Sequence, residues 1–235
     1  MMRAVSCMLT TLLLSLMLAC GNQTVPVPSG PTVPDHDAVS SATKGSAAEP
    51  SAPESAPTAQ DGRLLVAYFS RAGENYGVGT VRRGSTELVA EQIAELTGAD
   101  VFRIQTVTPY PESYEECKRI VTQERDSGAR PELLSVVADF DEYDAVFLGY
   151  PIWYGDMPMA VYTFLESCDF TGKTVYPFCT HAGSGLSGTV QTLKNKLTGA
   201  AVADGLAIAG TAVQNRPEET RQSVSDWLDR LGVQA

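Results

Sequence analysis

Two large aromatic rings stand where a buried strand ends. Gly149-Tyr150-Pro151-Ile152-Trp153-Tyr154-Gly155-Asp156 follows the unbroken apolar run Ala145-Val146-Phe147-Leu148. Such a run reads as a strand covered on both faces. Releasing Trp153 and Tyr154 into the loop beyond it sets flat faces where a flat ligand stacks, although the same rings would also serve to cap the local core. A second group, Ser70-Arg71-Ala72-Gly73, follows another apolar run, and Gly84-Ser85-Thr86-Glu87 stands where a helix opens. Hydroxyls and open N–H groups at a helix start hold an anion, while a serine there is also an ordinary N-cap. No Gly-rich run ends in Lys-Ser or Lys-Thr, so a single phosphate monoester fits better than a magnesium triphosphate. A third group, Thr180-His181-Ala182-Gly183-Ser184-Gly185, calls for a sharp turn or a close backbone approach. His181 fits a binding or structural role better than acid–base catalysis. No side chain in these groups is a nucleophile with a paired base, so no catalytic residue is expected and the chemistry is that of holding a ligand. With His36 and His181 the only histidines and no metal-ligand cysteine spacing, a metal site is not expected.

The elements that position these groups alternate. Residues 64–69, 101–104, 145–148, 174–179 and 202–209 read as strands, with Pro177 and Gly205 weakening the last two. Residues 86–96, 159–165, 186–197 and 218–231 read as helices. A polar excursion over 105–136 contains a further helix at 111–126, with Pro111 in its first turn. Five strands alternating with helices predict an open parallel sheet covered on both faces. Ligands of such sheets bind outside the carboxyl ends of the strands.

Taken together, Tyr68-Phe69-Ser70-Arg71-Ala72-Gly73, Gly149-Tyr150-Pro151-Ile152-Trp153-Tyr154-Gly155 and Thr180-His181-Ala182-Gly183-Ser184-Gly185 resemble the three FMN-binding loops of flavodoxins, over residues 64–231. The resemblance implies a five-stranded parallel sheet in the flavodoxin order 2-1-3-4-5, with FMN as cofactor. It implies that Ser70, Arg71, Ala72, Ser85 and Thr86 cradle the phosphate. Trp153 and Tyr154 would flank the isoalloxazine within the loop Pro151, Ile152 and Gly155, and Thr180, His181, Gly183, Ser184 and Gly185 would line the other edge. Gly155 would let its peptide turn toward the reduced ring, and Asp156 within an acidic shell would lower the potential. The chain departs from the family at residues 73–83, which split the usual compact phosphate loop, and at Ser85, where asparagine is common. Arg82 and Arg83 then either assist the phosphate or face solvent. The expected function is an FMN-binding redox protein, an electron carrier or a quinone-type reductase, working with a redox partner protein or a small-molecule acceptor. The alternative is a tethered interaction module without FMN.

Residues 1–19 pair one arginine with a short apolar run and read as a signal peptide. Leu16-Met17-Leu18-Ala19-Cys20-Gly21 resembles the lipobox of bacterial lipoproteins, with Cys20 as the lipid site. An ordinary secretory signal is the other reading. Residues 20–62 are rich in Pro, Ser and Ala and lack aromatics, a composition that cannot offset chain entropy by burial, so a disordered tether is expected. Residues 63–235 form the domain. The expected location is the extracytoplasmic face of a bacterial membrane, held by the lipid anchor. The net charge is −11. Removing five acids and two bases ahead of Arg63 leaves 23 acids against 15 bases, a net of −8. That balance excludes nucleic acid as a partner. Three cysteines in the domain are not a disulfide framework.

Overall fold

The computed structural model describes residues 62–233; the signal peptide, Cys20 and residues 20–61 of the tether lie outside the described residues. The chain enters through β1 (Leu64–Tyr68), then a small antiparallel hairpin of β2 (Gly73–Asn75) and β3 (Gly79–Val81). It continues through α1 (Ser85–Thr97), β4 (Asp100–Arg103), α2 (Tyr114–Ser127), a 3-10 turn (Phe140–Glu142), β5 (Ala145–Pro151) and α3 (Met159–Ser167). Next come β6 (Thr174–His181), α4 (Thr189–Lys196), β7 (Ala201–Val202), β8 (Leu206–Ala209), α5 (Gly210–Asn215) and α6 (Pro217–Leu231). The main sheet is parallel throughout. It runs β4-β1-β5-β6, with β7 and β8 together as the strand beyond β6. This is the order 2-1-3-4-5 with the fifth strand in two pieces.

The break has a local cause. Val175 pairs with Val202 and Phe178 with Leu206, so three residues on the outer strand face two on β6. One of those two is Pro177, which has no N–H to give to a ladder. Gly205 fills the gap, where a Cβ would stand 2.9 Å from the Leu186 side chain and 3.0 Å from Pro177 O.

Alternation along the strands sorts the core into two faces. Leu65, Ala67, Val146, Leu148, Val175 and Cys179 meet α3 and α4 through Val161, Phe164 and Leu193. Leu64, Val66, Phe147, Tyr176 and Phe178 meet α1 and α6 through Val89, Ile93, Val224, Trp227 and Leu228. Gly149 is fixed by this packing, because a Cβ on it would stand 2.2 Å from the Phe178 ring.

Two features differ from the sequence expectation. α2 starts at Tyr114 rather than Pro111, because Ser113 Oγ caps the helix by accepting from Glu116 N–H (3.5 Å), while Pro111 stays outside with its carbonyl bonded to Arg71. The 73–83 segment is the ordered β2–β3 hairpin, tied to the excursion by Glu74 N–H donating to Glu112 O (2.8 Å). Among the described residues, no helix is long and apolar enough to cross a membrane.

Candidate functional site

The start of α1 is the first part of the site. Ser70 leaves β1 with its Oγ accepting from Glu87 N–H (3.1 Å), which satisfies one helix-start donor. The approach is possible only because residue 84 is glycine: a Cβ there would stand 2.2 Å from Ser70 Oγ and 2.5 Å from Arg71 O. The N–H groups of Gly84, Ser85 and Thr86 find no acceptor among the described residues. The hydroxyls are engaged elsewhere. Thr86 Oγ1 bonds Thr180 Oγ1, and Ser85 Oγ donates to Gly210 O (3.3 Å) and accepts from Gln214 Nε2 (3.2 Å). The donors this turn offers to an anion are therefore backbone N–H groups.

Arg71 turns away from solvent, with only 9% of it exposed. Its Nη1 donates to Pro111 O (2.6 Å) and Glu112 O (3.0 Å), and its Nη2 to Glu74 O. The guanidinium thus clamps the hairpin to the segment before α2. Its Nε is buried without a partner, and the residue lines the cavity described below. Arg82 and Arg83 are exposed, and Arg83 pairs with Glu87 (3.0 Å) and Glu91. The hairpin turn crosses toward the far loops: Gly77 approaches Ala182, and a Cβ on Gly210 would stand 3.0 Å from Val78 Cγ2.

The aromatic loop after β5 is a tight turn. Trp153 N–H donates to Asp156 O (2.9 Å), and Asp156 N–H returns the bond to Trp153 O (3.0 Å). Tyr154 (φ 52°) and Gly155 (φ 79°) are both left-handed, as a type I′ turn requires. A bulky residue at positive φ is unusual, so Tyr154 is held there by its surroundings. Its hydroxyl donates to Thr122 Oγ1 (3.0 Å), whose own proton goes to Lys118 O (2.8 Å), and the Arg125 guanidinium stands 4.5 Å from its ring centroid. Trp153 lies edge-on to Phe69 and Tyr110, both at 5.3 Å. It is fixed by the core and still presents surface to the cavity. Asp156 does not line that cavity; its carboxylate accepts from Met157 N–H (2.7 Å) and Tyr162 Oη (2.8 Å).

These parts close on one cavity of about 200 Å³. Of the residues singled out in the sequence, Ser70, Arg71, Ser85, Thr86, Pro151, Ile152, Trp153, Tyr154, Thr180 and His181 line it. Ala72, Gly155, Gly183, Ser184 and Gly185 do not. Gly155 is exposed in the tight turn, and the 183–185 stretch is spent on turning the chain: Gly183 N–H donates to His181 Nδ1 (2.9 Å) and Cys179 Sγ to Gly185 O (3.4 Å). His181 therefore keeps Nδ1 as an acceptor, and partial burial lowers its pKa below the usual histidine value. Sequence reasoning missed three contributors, one of them Gly210 at the start of α5. The hairpin supplies Asn75, Tyr76 and Val78, and α2 supplies Tyr114, Cys117, Lys118 and Val121. The second set had a signal, since positions i, i+3, i+4 and i+7 share one helical face.

A family model described as Flavodoxin matches residues 63–231. The chain belongs to the flavodoxin family. Its parallel sheet with the cavity at the strand ends is the flavodoxin arrangement, with α2 as the crossover between β4 and β5. Two solved structures of Bacteroides proteins, provisionally named flavoproteins, are similar to this flavodoxin-family chain. The one from Bacteroides eggerthii is 28% identical with a TM-score of 0.59, covering 73% of this chain and 99% of that one. The one from Bacteroides uniformis is 29% identical with a TM-score of 0.56, covering 72% and 98%. A Lactobacillus acidophilus flavoprotein solved in complex with FMN shares the fold at 20% identity and a TM-score of 0.51, over 67% of this chain and 99% of that one. No curated protein matches the chain.

Proposed function

We propose that this chain is an FMN-binding redox protein that works at a membrane surface. One observation carries the reading: a single cavity joins the open N–H groups at the start of α1 to the faces of Trp153 and Tyr154. A phosphate tail and a flat ring are the two ends of FMN. The residues fit such a group. Backbone donors at the start of α1 await an anion, and the buried Arg71 Nε lacks an acceptor. Bound FMN supplies the electron-transfer chemistry, and the protein supplies binding, orientation and electrostatics. Trp153, braced by Phe69 and Tyr110, offers a rigid stacking surface, while Tyr154 covers the outer side from a strained turn.

The test is spectroscopic. Residues 63–235, purified and mixed with FMN, should turn yellow and quench flavin fluorescence with one-to-one stoichiometry. A colourless sample without uptake would leave the alternative, a flavodoxin-like interaction module. Turnover of NAD(P)H with a quinone distinguishes a reductase from a carrier that needs a protein partner.

The membrane location is supported by the lipobox-like run ending at Cys20 and by the Pro-, Ser- and Ala-rich stretch after it. Two acyl chains at Cys20 would provide the anchor. Mass spectrometry of the full chain expressed in a bacterium should find lipid on Cys20, and Cys20→Ser should release the protein from the membrane fraction. An unlipidated Cys20 would remove this part of the reading.

A further inference from the structure

The β2–β3 hairpin has little of its own to hold it. Its strands are three residues each, and of those six residues only Gly73 is buried. A lone two-stranded hairpin is marginal in water. Contacts with the rest of the chain hold this one, and Arg71 is central to them. Its guanidinium joins Glu74 O on the hairpin to Pro111 O (2.6 Å) and Glu112 O (3.0 Å) ahead of α2. The Asn75 amide donates back to Arg71 O (3.4 Å), and Glu74 N–H donates to Glu112 O (2.8 Å). Arg71 also abuts the opening turn of α1, since a Cβ on Gly84 would stand 2.5 Å from Arg71 O. In that turn the N–H groups of Gly84, Ser85 and Thr86 find no acceptor among the described residues. Neither does the buried Nε of Arg71, a residue that lines the cavity. Among the described residues no carboxylate pairs with Arg71, so its charge is held by neutral carbonyls alone. A buried charge without a counter-ion and a buried donor without an acceptor both cost free energy, and one anion at this turn would relieve both.

Resting on the FMN reading above, we infer that Arg71 couples the ligand's phosphate to the hairpin: a phosphate monoester at the start of α1 takes the Nε donor, offsets the guanidinium charge and so holds the hairpin closed over the cavity. One end of this side chain then reads the ligand while the other grips Glu74 O. The coupling is reciprocal. Whatever factor phosphate lends to the closed hairpin, closure returns to the affinity for phosphate. A flavin without the anion leaves Nε unmet whether the hairpin is closed or open, so through this residue it shifts nothing. The hairpin turn reaches across to the far loops, with Gly77 beside Ala182 and Val78 beside Gly210, so its closure is felt at both sides of the cavity. Arg71 thereby makes closure specific to a phosphorylated ligand.

Amide hydrogen exchange of the full chain reads the hairpin through two protons, Glu74 N–H on Glu112 O and Val78 N–H on Asn75 O (3.2 Å). Saturating FMN should slow both at least tenfold. Saturating inorganic phosphate should slow both at least threefold relative to chloride at equal ionic strength, whereas riboflavin should leave both within twofold. Arg71→Lys keeps the charge but loses the fork that reaches carbonyls and an anion together. It should erase the slowing by phosphate and weaken FMN at least tenfold by fluorescence quenching. If that variant does not fold, the ligand comparison on the unaltered chain decides alone. Hairpin amides unmoved by bound FMN or by phosphate, slowed as much by riboflavin as by FMN, or still slowed by phosphate in Arg71→Lys, overturn the inference while the FMN reading stands. Failure of the unaltered chain to take up FMN overturns both.

Discussion

Thr86 Oγ1 and Thr180 Oγ1 lie 2.8 Å apart, both residues buried, and join the first turn of α1 to the end of β6. The bond keeps the two loops that face the cavity at a fixed separation. Thr86→Val leaves Thr180 with a lost partner at a buried site, and an unmet buried polar group costs about 1–3 kcal/mol. Replacing both threonines with valine removes donor and acceptor together and should recover most of that loss. Urea denaturation of the two single variants and the double variant checks the coupling, with near-additive losses as the contrary result.

Trp153 has two tasks, so its removal should be felt twice. Trp153→Ala deletes two edge-on contacts, with Phe69 and Tyr110, at about 0.5–1.5 kcal/mol each. It should weaken FMN at least tenfold while far-ultraviolet circular dichroism stays native. Tyr154→Ala should cost little stability, since the ring is 54% exposed and its backbone is strained. An unchanged FMN dissociation constant for Trp153→Ala would show that the indole does not stack.

Glycine-to-alanine changes separate site from scaffold. Gly149→Ala drives a methyl to 2.2 Å from Phe178 and should cost about 1–3 kcal/mol or more with ligand binding kept in the folded fraction. Gly84→Ala drives a methyl to 2.2 Å from Ser70 Oγ and 2.5 Å from Arg71 O, so it should also cost stability and, unlike Gly149→Ala, should weaken FMN uptake in the folded fraction. Isothermal titration of both variants against thermal unfolding makes the comparison.

His181 sets a pH dependence. Burial lowers its folded pKa below the usual value, so between the two values the unfolded chain binds more protons than the folded one. Stability therefore rises with pH through that window, is complete above about 6.5, and is lost as pH falls through the folded pKa. Protonation also removes the acceptor for Gly183 N–H. Proton NMR of His181 with denaturation at several pH values checks this, and His181→Asn should flatten the slope.

The main sheet was legible because buried parallel strands are continuous apolar runs: 64–68, 145–148 and 174–179 stand out against their surroundings. The turn that opens α1 and the aromatic loop after β5 were legible from residue type. The β2–β3 hairpin was not. Its strands are three residues long with no alternation of apolar and polar, and it is held by contacts remote in sequence, Arg71 to Pro111 O and Glu74 to Glu112 O. α5 was missed because its six residues carry almost no helical periodicity. The direction of one side chain was not legible either: Asp156 adjoins the aromatic loop in sequence, but its carboxylate turns to Tyr162 and does not line the cavity.

The hairpin turn approaches Ala182 and Gly210, so it bridges the two sides of the cavity mouth. A ligand that seats in the cavity should therefore exchange slowly for its affinity, and flavin fluorescence followed after dilution of a loaded sample checks this.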